Sequence, residues 1–228
     1  MERRMIMGLD MYLERMPRYG NTTPHEISAI ENYFEWKEDP EARKYTLKEW
    51  CGVDFGDLPP KHVRDFYAQF YITTYYNWDD KHQYPHKSIK EEIGYWRKAN
   101  EIHNWFVENV QDGVDDCGYH EEVTKEALEE LLTTCQKVLD SCELVEGKVN
   151  NGYKHENGQT IPIIEDGKYV KDPSVAMKLL PTTSGFFFGG TDYDEYYVED
   201  IKNTIEICKK ALETTDFETQ MIFYVSSW

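Results

Sequence analysis

Hydrophobic positions near the N-terminus alternate with polar ones, which predicts a half-buried strand. One side of this strand carries Leu9, Met11 and Leu13. After a turn, Thr23-Pro24-His25-Glu26 has the form of a capping box with proline in the first helical position, so it predicts the start of a first helix. The segment 40–87 contains several helix breakers, and we interpret it as an insertion of mixed structure.

A helical period then predicts three longer helices. The first starts at the capping box Ser88-Ile89-Lys90-Glu91, runs to about Val110 and stops at Gly113. The second spans about Lys125–Cys142, and the third starts at Asp192-Tyr193-Asp194-Glu195. These helices would carry most of the apolar surface that the fold must bury.

Shorter β signals lie around these helices. Gly147–Val170 predicts one ribbon with a turn at Glu165-Asp166-Gly167, Ser184–Phe188 predicts a short buried strand, and Gln220–Val225 predicts a last strand. Because strands and helices do not alternate strictly, the pattern predicts an α+β fold. We expect one domain, 1–228, with a small antiparallel sheet, three longer helices packed on it and the mixed insertion at 40–87.

Charge and composition narrow the function classes. Asp and Glu number 43 against 25 Lys and Arg, so the formal net charge is −18, which excludes a general basic surface for nucleic acid or an anionic membrane. No apolar run approaches the roughly 20 residues that cross a bilayer. The 5 cysteines are odd in number and form no C-x-x-C, as expected of reduced thiols. We therefore expect a cytoplasmic protein that contacts neither membrane nor nucleic acid directly.

The central helix carries the candidate chemistry. A helical wheel of 95–110 places Glu101 towards solvent and turns His103 and Asn109 towards the interior. Aromatic walls with a few converging amides would suit a planar base. The alternative is a core helix whose polar side chains bond to backbone carbonyls. The candidate ligand-binding residues are Tyr95, Trp96, Asn100, His103, Trp105, Asn109, Ser184, Gly185 and Phe186.

Three neighbouring motifs give weaker signals. The glycines of Ser184–Gly190 permit close backbone approach at a pocket edge, but acidic residues occupy the helix start that follows and would repel a phosphate. Cys117 and His120 have the spacing of half a zinc site without a second pair, so a solvated turn is the alternative, and we expect no metal and no cofactor. His103 and Asp115 or Asp116 would form an acid–base pair only if the helix end folds back, since a straight helix separates them by about 18 Å.

Three strings of residues carry a family resemblance. They are Met7-Gly8-Leu9-Asp10-Met11-Tyr12-Leu13, the stretch from Tyr95-Trp96-Arg97-Lys98-Ala99-Asn100 to Cys117, and Leu180-Pro181-Thr182-Thr183-Ser184-Gly185-Phe186-Phe187-Phe188-Gly189 with the residues to Glu195. With them the chain resembles an uncharacterised family of small accessory proteins of tailed phages and prophages. The resemblance implies action against host defence in an infected bacterial cell. It supplies no catalytic residues.

Two functions follow as hypotheses. The first is a sponge that sequesters a small nucleotide-type signalling ligand without catalysis; a homo-oligomer fits it, because such proteins often bind their ligand between subunits. The alternative is an acidic protein-interaction inhibitor, or DNA mimic, whose carboxylates occupy a groove on a host factor. An enzyme built from scattered residues comes third.

Overall fold

The computed structural model describes residues 8–79, 82–117, 121–156, 158–185 and 188–228. The strands are β1 (Asp10–Pro17), β2 (Ile72–Asp79), β3 (His82–Ser88), β4 (Glu91–Arg97), β5 (Leu144–Glu156), β6 (Gln159–Val170) and β7 (Gln220–Ser227). The helices are α1 (Pro24–Glu38), α2 (Leu47–Cys51), α3 (Lys61–Tyr67), α4 (Asn100–Asn109), α5 (Lys125–Ser141), α6 (Ser174–Leu179) and α7 (Glu195–Thr214). The predicted α+β class is confirmed.

The sheet is small and antiparallel, as predicted. Its strand order is β4-β1-β7, and the pairs β2–β3 and β5–β6 form two separate antiparallel ribbons. The amide of Lys98, just after β4, donates to the carbonyl of Leu9 at 2.8 Å. The amide of Arg18, just after β1, donates to the carbonyl of Thr219 at 2.9 Å. In each case the end of one strand therefore lies beside the start of its neighbour.

The chain divides into two compact units. The first contains the residues up to Glu14, Glu92–Thr215 and Ile222–Trp228, and the second contains Arg15–Glu91 and Asp216–Met221. The predicted insertion 40–87 lies within the second unit. Whether the units act as one domain stays a prediction.

The core of the first unit forms where α5 and α7 pack together. Both helices carry an apolar stripe at helical spacing, because one face of each is removed from water. The buried stripe residues are Leu128, Leu131, Cys135 and Val138 on α5, and Tyr197, Ile201, Ile205, Cys208 and Ala211 on α7. No helix in the described part of the chain combines the length and the apolarity that crossing a bilayer requires.

The central helix is shorter than predicted, because its first half is a strand. Residues 91–97 form β4, and α4 begins only at Asn100. The hydroxyl of Ser88, expected to cap a helix, donates to Glu31 at 2.7 Å and accepts from the amide of Lys90 at 2.9 Å. Between β4 and α4, Lys98 has a φ of 63°. Partners distant in sequence have thus overridden a local helix-start pattern.

Two β predictions were also wrong in detail. The ribbon of β5 and β6 turns at about residue 158, and the predicted turn residues Asp166 and Gly167 instead pair with Lys148 and Gly147. The predicted strand Ser184–Phe188 does not form in its described residues, 184, 185 and 188. The described residues of this segment are irregular, and the carbonyl of Phe188 accepts from Asn100 Nδ2.

Candidate functional site

Tyr95 and Trp96, the first two residues of the predicted site, lie on opposite faces of β4. Tyr95 is 39% exposed, and its hydroxyl donates to Asp10 Oδ1 at 2.5 Å. Trp96 is 1% exposed, and its indole N–H donates to Thr204 Oγ1 at 2.9 Å. Because adjacent strand residues point to opposite faces, these two rings do not form the walls of one pocket.

Asn100 connects the start of α4 to the loop that precedes α7. Its Nδ2 donates to the carbonyls of Phe188 at 3.2 Å and Gly190 at 2.8 Å, and its Oδ1 accepts from the amide of Thr183 at 2.8 Å. The side chain is 1% exposed. The structure therefore brings Asn100 close to the predicted loop, with Ser184 and Gly185 exposed in it; Phe186 lies outside the described residues.

His103 is the centre of a relay of three side chains, two of which are buried. Its Nδ1 lies 2.7 Å from the hydroxyl of Tyr224 on β7, and its Nε2 lies 3.0 Å from Asp115 Oδ1. His103 is 1% and Tyr224 2% exposed, whereas the Asp115 side chain is 40% exposed. Two rings enclose the relay, since Phe188 meets His103 edge-on and Phe106 stacks on Tyr224.

The chain reaches this geometry by reversing sharply after α4. Asp112 and Gly113 both have positive φ, at 53° and 74°, and the amide of Gly113 donates to the carbonyl of Val107 at 2.8 Å. The helix end thus folds back, as the pairing of His103 with Asp115 requires. Tyr224 was not foreseen, because nothing in the sequence aligns β7 with α4.

Burial decides the charge state of the relay. Desolvation lowers the pKa of His103, although the carboxylate of Asp115 acts in the opposite direction. Burial raises the pKa of Tyr224 well above its ordinary value. A neutral imidazole would donate Nε2–H to the Asp115 carboxylate and accept the Tyr224 hydroxyl at Nδ1. Because both ring nitrogens are engaged, the relay connects β7 to the turn after α4 and presents no ring nitrogen to a substrate.

Trp105 and Asn109 complete the predicted set without forming a shared cavity. Trp105 is 7% exposed and packs edge-on against Phe106. Asn109 is exposed, and its amide donates to the carbonyl of Trp105 at 2.8 Å. In the described part of the chain, Trp96, His103 and Asn109 share no concavity, because the first two side chains are bonded in the interior and the third lies at the surface. Whether any of them binds a ligand stays a prediction.

Glu101 was assigned wrongly to the solvent face of the helix. It is 2% exposed, and its Oε1 has no hydrogen-bond partner among the described residues. Burial raises its pKa well above the ordinary value, and the nearby carboxylates of Asp200 and Asp194 act in the same direction. Burial likewise raises the pKa of Asp200 to about 7. The helical wheel misplaced Glu101 because α7 covers the side of α4 on which the sequence places polar residues.

The second unit contains a separate cleft of about 600 Å³. The end of β1, the segment before β4 and the turn before β7 form it together with the end of α3. Its aromatic wall is made by Phe66 and Phe70, whose ring centroids are 5.0 Å apart. The remaining lining residues are Arg15, Met16, Pro17, Arg18, Ile72, Ser88, Ile89, Lys90, Glu91, Glu218, Thr219 and Gln220.

Cationic groups gather at this cleft in an otherwise acidic chain. Arg15, Arg18 and Lys90 line it, together with the carboxylates of Glu91 and Glu218. The guanidinium of Arg15 donates from two nitrogens to Glu91 Oε2, at 2.6 and 3.2 Å.

Lys90 lies 3.1 Å from Glu31 Oε2. Glu31 is only 12% exposed and also accepts from the hydroxyl of Ser88 and the amide of Ile89. These bonds hold the ammonium in place on the lining.

Comparison with protein-family models, curated proteins and solved structures found no match to this chain. Among the described residues, no group of three or more His, Cys, Asp or Glu side chains is arranged to hold a metal ion. His120, the partner proposed for Cys117, lies outside those residues.

Proposed function

We propose that the protein binds and holds a small nucleotide-type anion in the cleft of the second unit, without chemical conversion. The observation that carries this proposal is the meeting of Arg15, Arg18 and Lys90 with Phe66 and Phe70 around one concavity. Together with the resemblance to phage accessory proteins, the proposal extends to a counter-defence protein that sequesters this ligand. The site differs from the one that the sequence indicated around α4.

The size and chemistry of the cleft support such a ligand. A volume of about 600 Å³ lies within the roughly 300–1,000 Å³ of small-molecule sites. Arginine binds phosphate oxygens through paired donors, and lysine binds them as a point charge. The faces of Phe66 and Phe70 would take the flat base. A ligand that has both a phosphate group and a base contacts the charged side and the aromatic side of the cleft. Inorganic phosphate alone contacts only the charged side of the cleft.

The alternative of a DNA mimic receives less support from the described helices. On α7 the exposed carboxylates Glu199, Glu206 and Glu213 would form a row, but Lys202 and Lys209 lie exposed among them. Glu206 is paired with Lys209 at 3.2 Å. A surface that imitates phosphates requires acidic groups without such interleaved cations.

A panel of linear and cyclic nucleotides, with inorganic phosphate and pyrophosphate as controls, tests the proposal. A ligand that binds only the folded state raises Tm by mass action, by a few degrees at about 100 times its Kd. We expect such a shift with at least one nucleotide, and recovery of that nucleotide unaltered by mass spectrometry. If no member of the panel shifts Tm, or if the nucleotide is recovered cleaved, the proposal fails.

A further inference from the structure

Five aromatic side chains of the second unit form a second surface, and none of them lines the cleft. We call it the aromatic surface; it consists of Tyr33, Trp36, Tyr45, Trp50 and Phe55. Tyr45 is 54%, Trp50 42% and Phe55 57% exposed. Single exposed apolar residues are common, but a contiguous group of large rings marks a place where another molecule docks.

The rings form two groups that one hydrogen bond joins. Tyr45 and Trp50 are stacked with centroids 5.9 Å apart, and Trp36 meets Phe55 edge-on at 5.7 Å. The indole N–H of Trp36 donates to the carbonyl of Tyr45 at 2.8 Å, which joins the two pairs. Tyr33 contacts both Trp36 and Phe55.

The backbone beneath these rings is fixed by local hydrogen bonds. Thr46 and Glu49 form a capping box at the start of α2, and Gly52 ends the helix with a φ of 71°. Asp54 accepts from the amide of Gly56 and caps the short 3-10 turn that bears Phe55. Aromatic side chains on such a scaffold lose little conformational entropy when a partner binds, which is one reason why Tyr and Trp dominate binding hot spots.

Charge selects the kind of partner. Residues 33–57 contain seven carboxylates and four cationic side chains, so the surface is acidic within a chain of net charge −18. Nucleic acid, an anionic membrane and a second copy of the chain would all be repelled. Arginine and lysine side chains, in contrast, stack on Tyr and Trp faces and pair with carboxylates. Within the unit, Arg64 already lies 5.0 Å from the ring centroid of Tyr33.

We infer that the aromatic surface docks a polypeptide segment that carries Arg or Lys beside apolar side chains. Apolar residues of the partner cover Phe55 and Trp50, while its cations lie over the ring faces and beside the surrounding carboxylates. This docking uses none of the residues that line the cleft, so it is independent of the ligand proposed there.

Three short synthetic peptides with identical leucine and valine positions provide the test. Their charged positions are all Arg, all Glu or all Ser, and binding is followed by fluorescence anisotropy of a label on the peptide. We expect the arginine peptide to bind, and the double variant Trp50→Ala/Phe55→Ala to weaken its Kd by at least about tenfold, as for the loss of a hot spot. Tyr45→Ala, a second variant at an exposed ring, should weaken it in the same direction.

The control is Tyr196→Ala, which removes a ring that is also 54% exposed but lies on α7 in the first unit. It should leave the Kd unchanged, and thermal unfolding of each variant checks that the fold persists. Failure of the arginine peptide to bind, equal binding of all three peptides, or binding that survives the ring substitutions would overturn the inference. So would preferential binding of phosphatidylserine vesicles or a DNA oligonucleotide, or self-association of the chain through the same rings.

Discussion

His103 Nε2 lies 3.0 Å from Asp115 Oδ1, although 12 residues separate the two along the chain. The carboxylate is partly exposed and the imidazole is buried. The contact fixes the turn after α4. It also requires a buried imidazole, and the free-energy cost of burying this polar ring is offset only when both of its nitrogens are hydrogen-bonded.

Removal of this carboxylate should destabilise the fold. In Asp115→Ala the buried Nε2–H loses its acceptor, which costs about 1–3 kcal/mol of unfolding free energy. The pKa of His103 should fall further, because the Asp115 carboxylate raises it. Chemical denaturation and an NMR titration of the imidazole measure the two effects. Asp166→Ala, at a side chain that is 89% exposed, serves as the control; equal stability of both variants would contradict the role of the relay.

Two buried groups should make stability depend on pH in opposite directions. The pKa of His103 is lowered from 6.5, so the unfolded chain binds more protons there and stability falls as the pH drops below 6.5. The pKa of Glu101 is raised from 4.5, so the folded chain binds more protons and stability falls as the pH rises above 4.5. Asp200 acts in the same way between 3.8 and about 7.

The variant Glu101→Gln isolates the acidic group. The glutamine side chain cannot ionise, so the variant escapes the loss of stability that wild type shows above pH 4.5. The unfolding free energy of the variant relative to wild type should therefore increase steadily as the pH rises from 4.5. Denaturation at a series of pH values measures this difference. Glu108→Gln, on the exposed face of the same helix, should run parallel to wild type. A constant difference between Glu101→Gln and wild type across this range would show that Glu101 ionises normally in the folded protein.

Asn100 should hold the loop before α7 in place. Asn100→Ala removes three hydrogen bonds to Thr183, Phe188 and Gly190 and leaves buried backbone groups unpaired, at about 1–3 kcal/mol each for those that water does not reach. Hydrogen exchange at the loop amides should accelerate more than exchange in α5. The matched control is Asn104→Ala on the same helix, and unchanged exchange in Asn100→Ala would refute the anchoring role.

Locally encoded elements were predictable from the sequence, and elements set by distant partners were not. The cap at Thr23 and the helix start within Asp192–Glu195 were predicted correctly, because the side chains of Thr23 and Asp194 accept from amides within three residues. Ser88 has the same kind of pattern, yet its hydroxyl is bonded to Glu31, 57 positions away.

The same distinction explains the candidate site. The sequence identified the residue types around α4. It does not show that the indole of Trp96 is hydrogen-bonded to Thr204 or that the imidazole of His103 is hydrogen-bonded to Tyr224. The cleft of the second unit escaped notice for a related reason. Its cations come from segments far apart in the chain, Arg15 and Arg18 at the end of β1 and Lys90 before β4, so no local motif marks it.

Gly94 is a single position at which contacts with residues distant in the sequence decide which side chain fits. A methyl group there would meet the side chains of Ile207 and Leu13, so Gly94→Ala should overpack the contact between β4 and α7 and cost about 1–3 kcal/mol. Gly56→Ala, with open space around its Cβ position, should change stability little. Urea unfolding of both variants provides the comparison, and a neutral Gly94→Ala would mean that α7 shifts to accommodate the methyl group.

The cleft makes the most discriminating prediction, because two of its residues should alter ligand affinity in opposite directions. In Arg18→Gln a cation is lost, so the nucleotide that raises Tm most should bind about threefold to tenfold more weakly, which corresponds to about 0.7–1.4 kcal/mol. In Glu91→Gln the carboxylate that competes for the guanidinium of Arg15 is neutralised, so the same nucleotide should bind more tightly. Glu91 is 63% exposed, and its substitution should leave the fold intact.

Titration calorimetry at low and at physiological salt measures both effects, and higher salt should reduce the difference between the variants. Lys202→Gln and Glu206→Gln, two exposed substitutions on α7, control for the change in net charge alone. If these controls move the affinity as much as the cleft variants do, the ligand responds to the overall charge of the chain. If instead only Arg18→Gln and Glu91→Gln change the affinity, and with opposite signs, the anion lies beside Arg15 and Arg18. The reason is that the electrostatic field of the whole chain would respond alike to equal charge changes at the cleft and on α7.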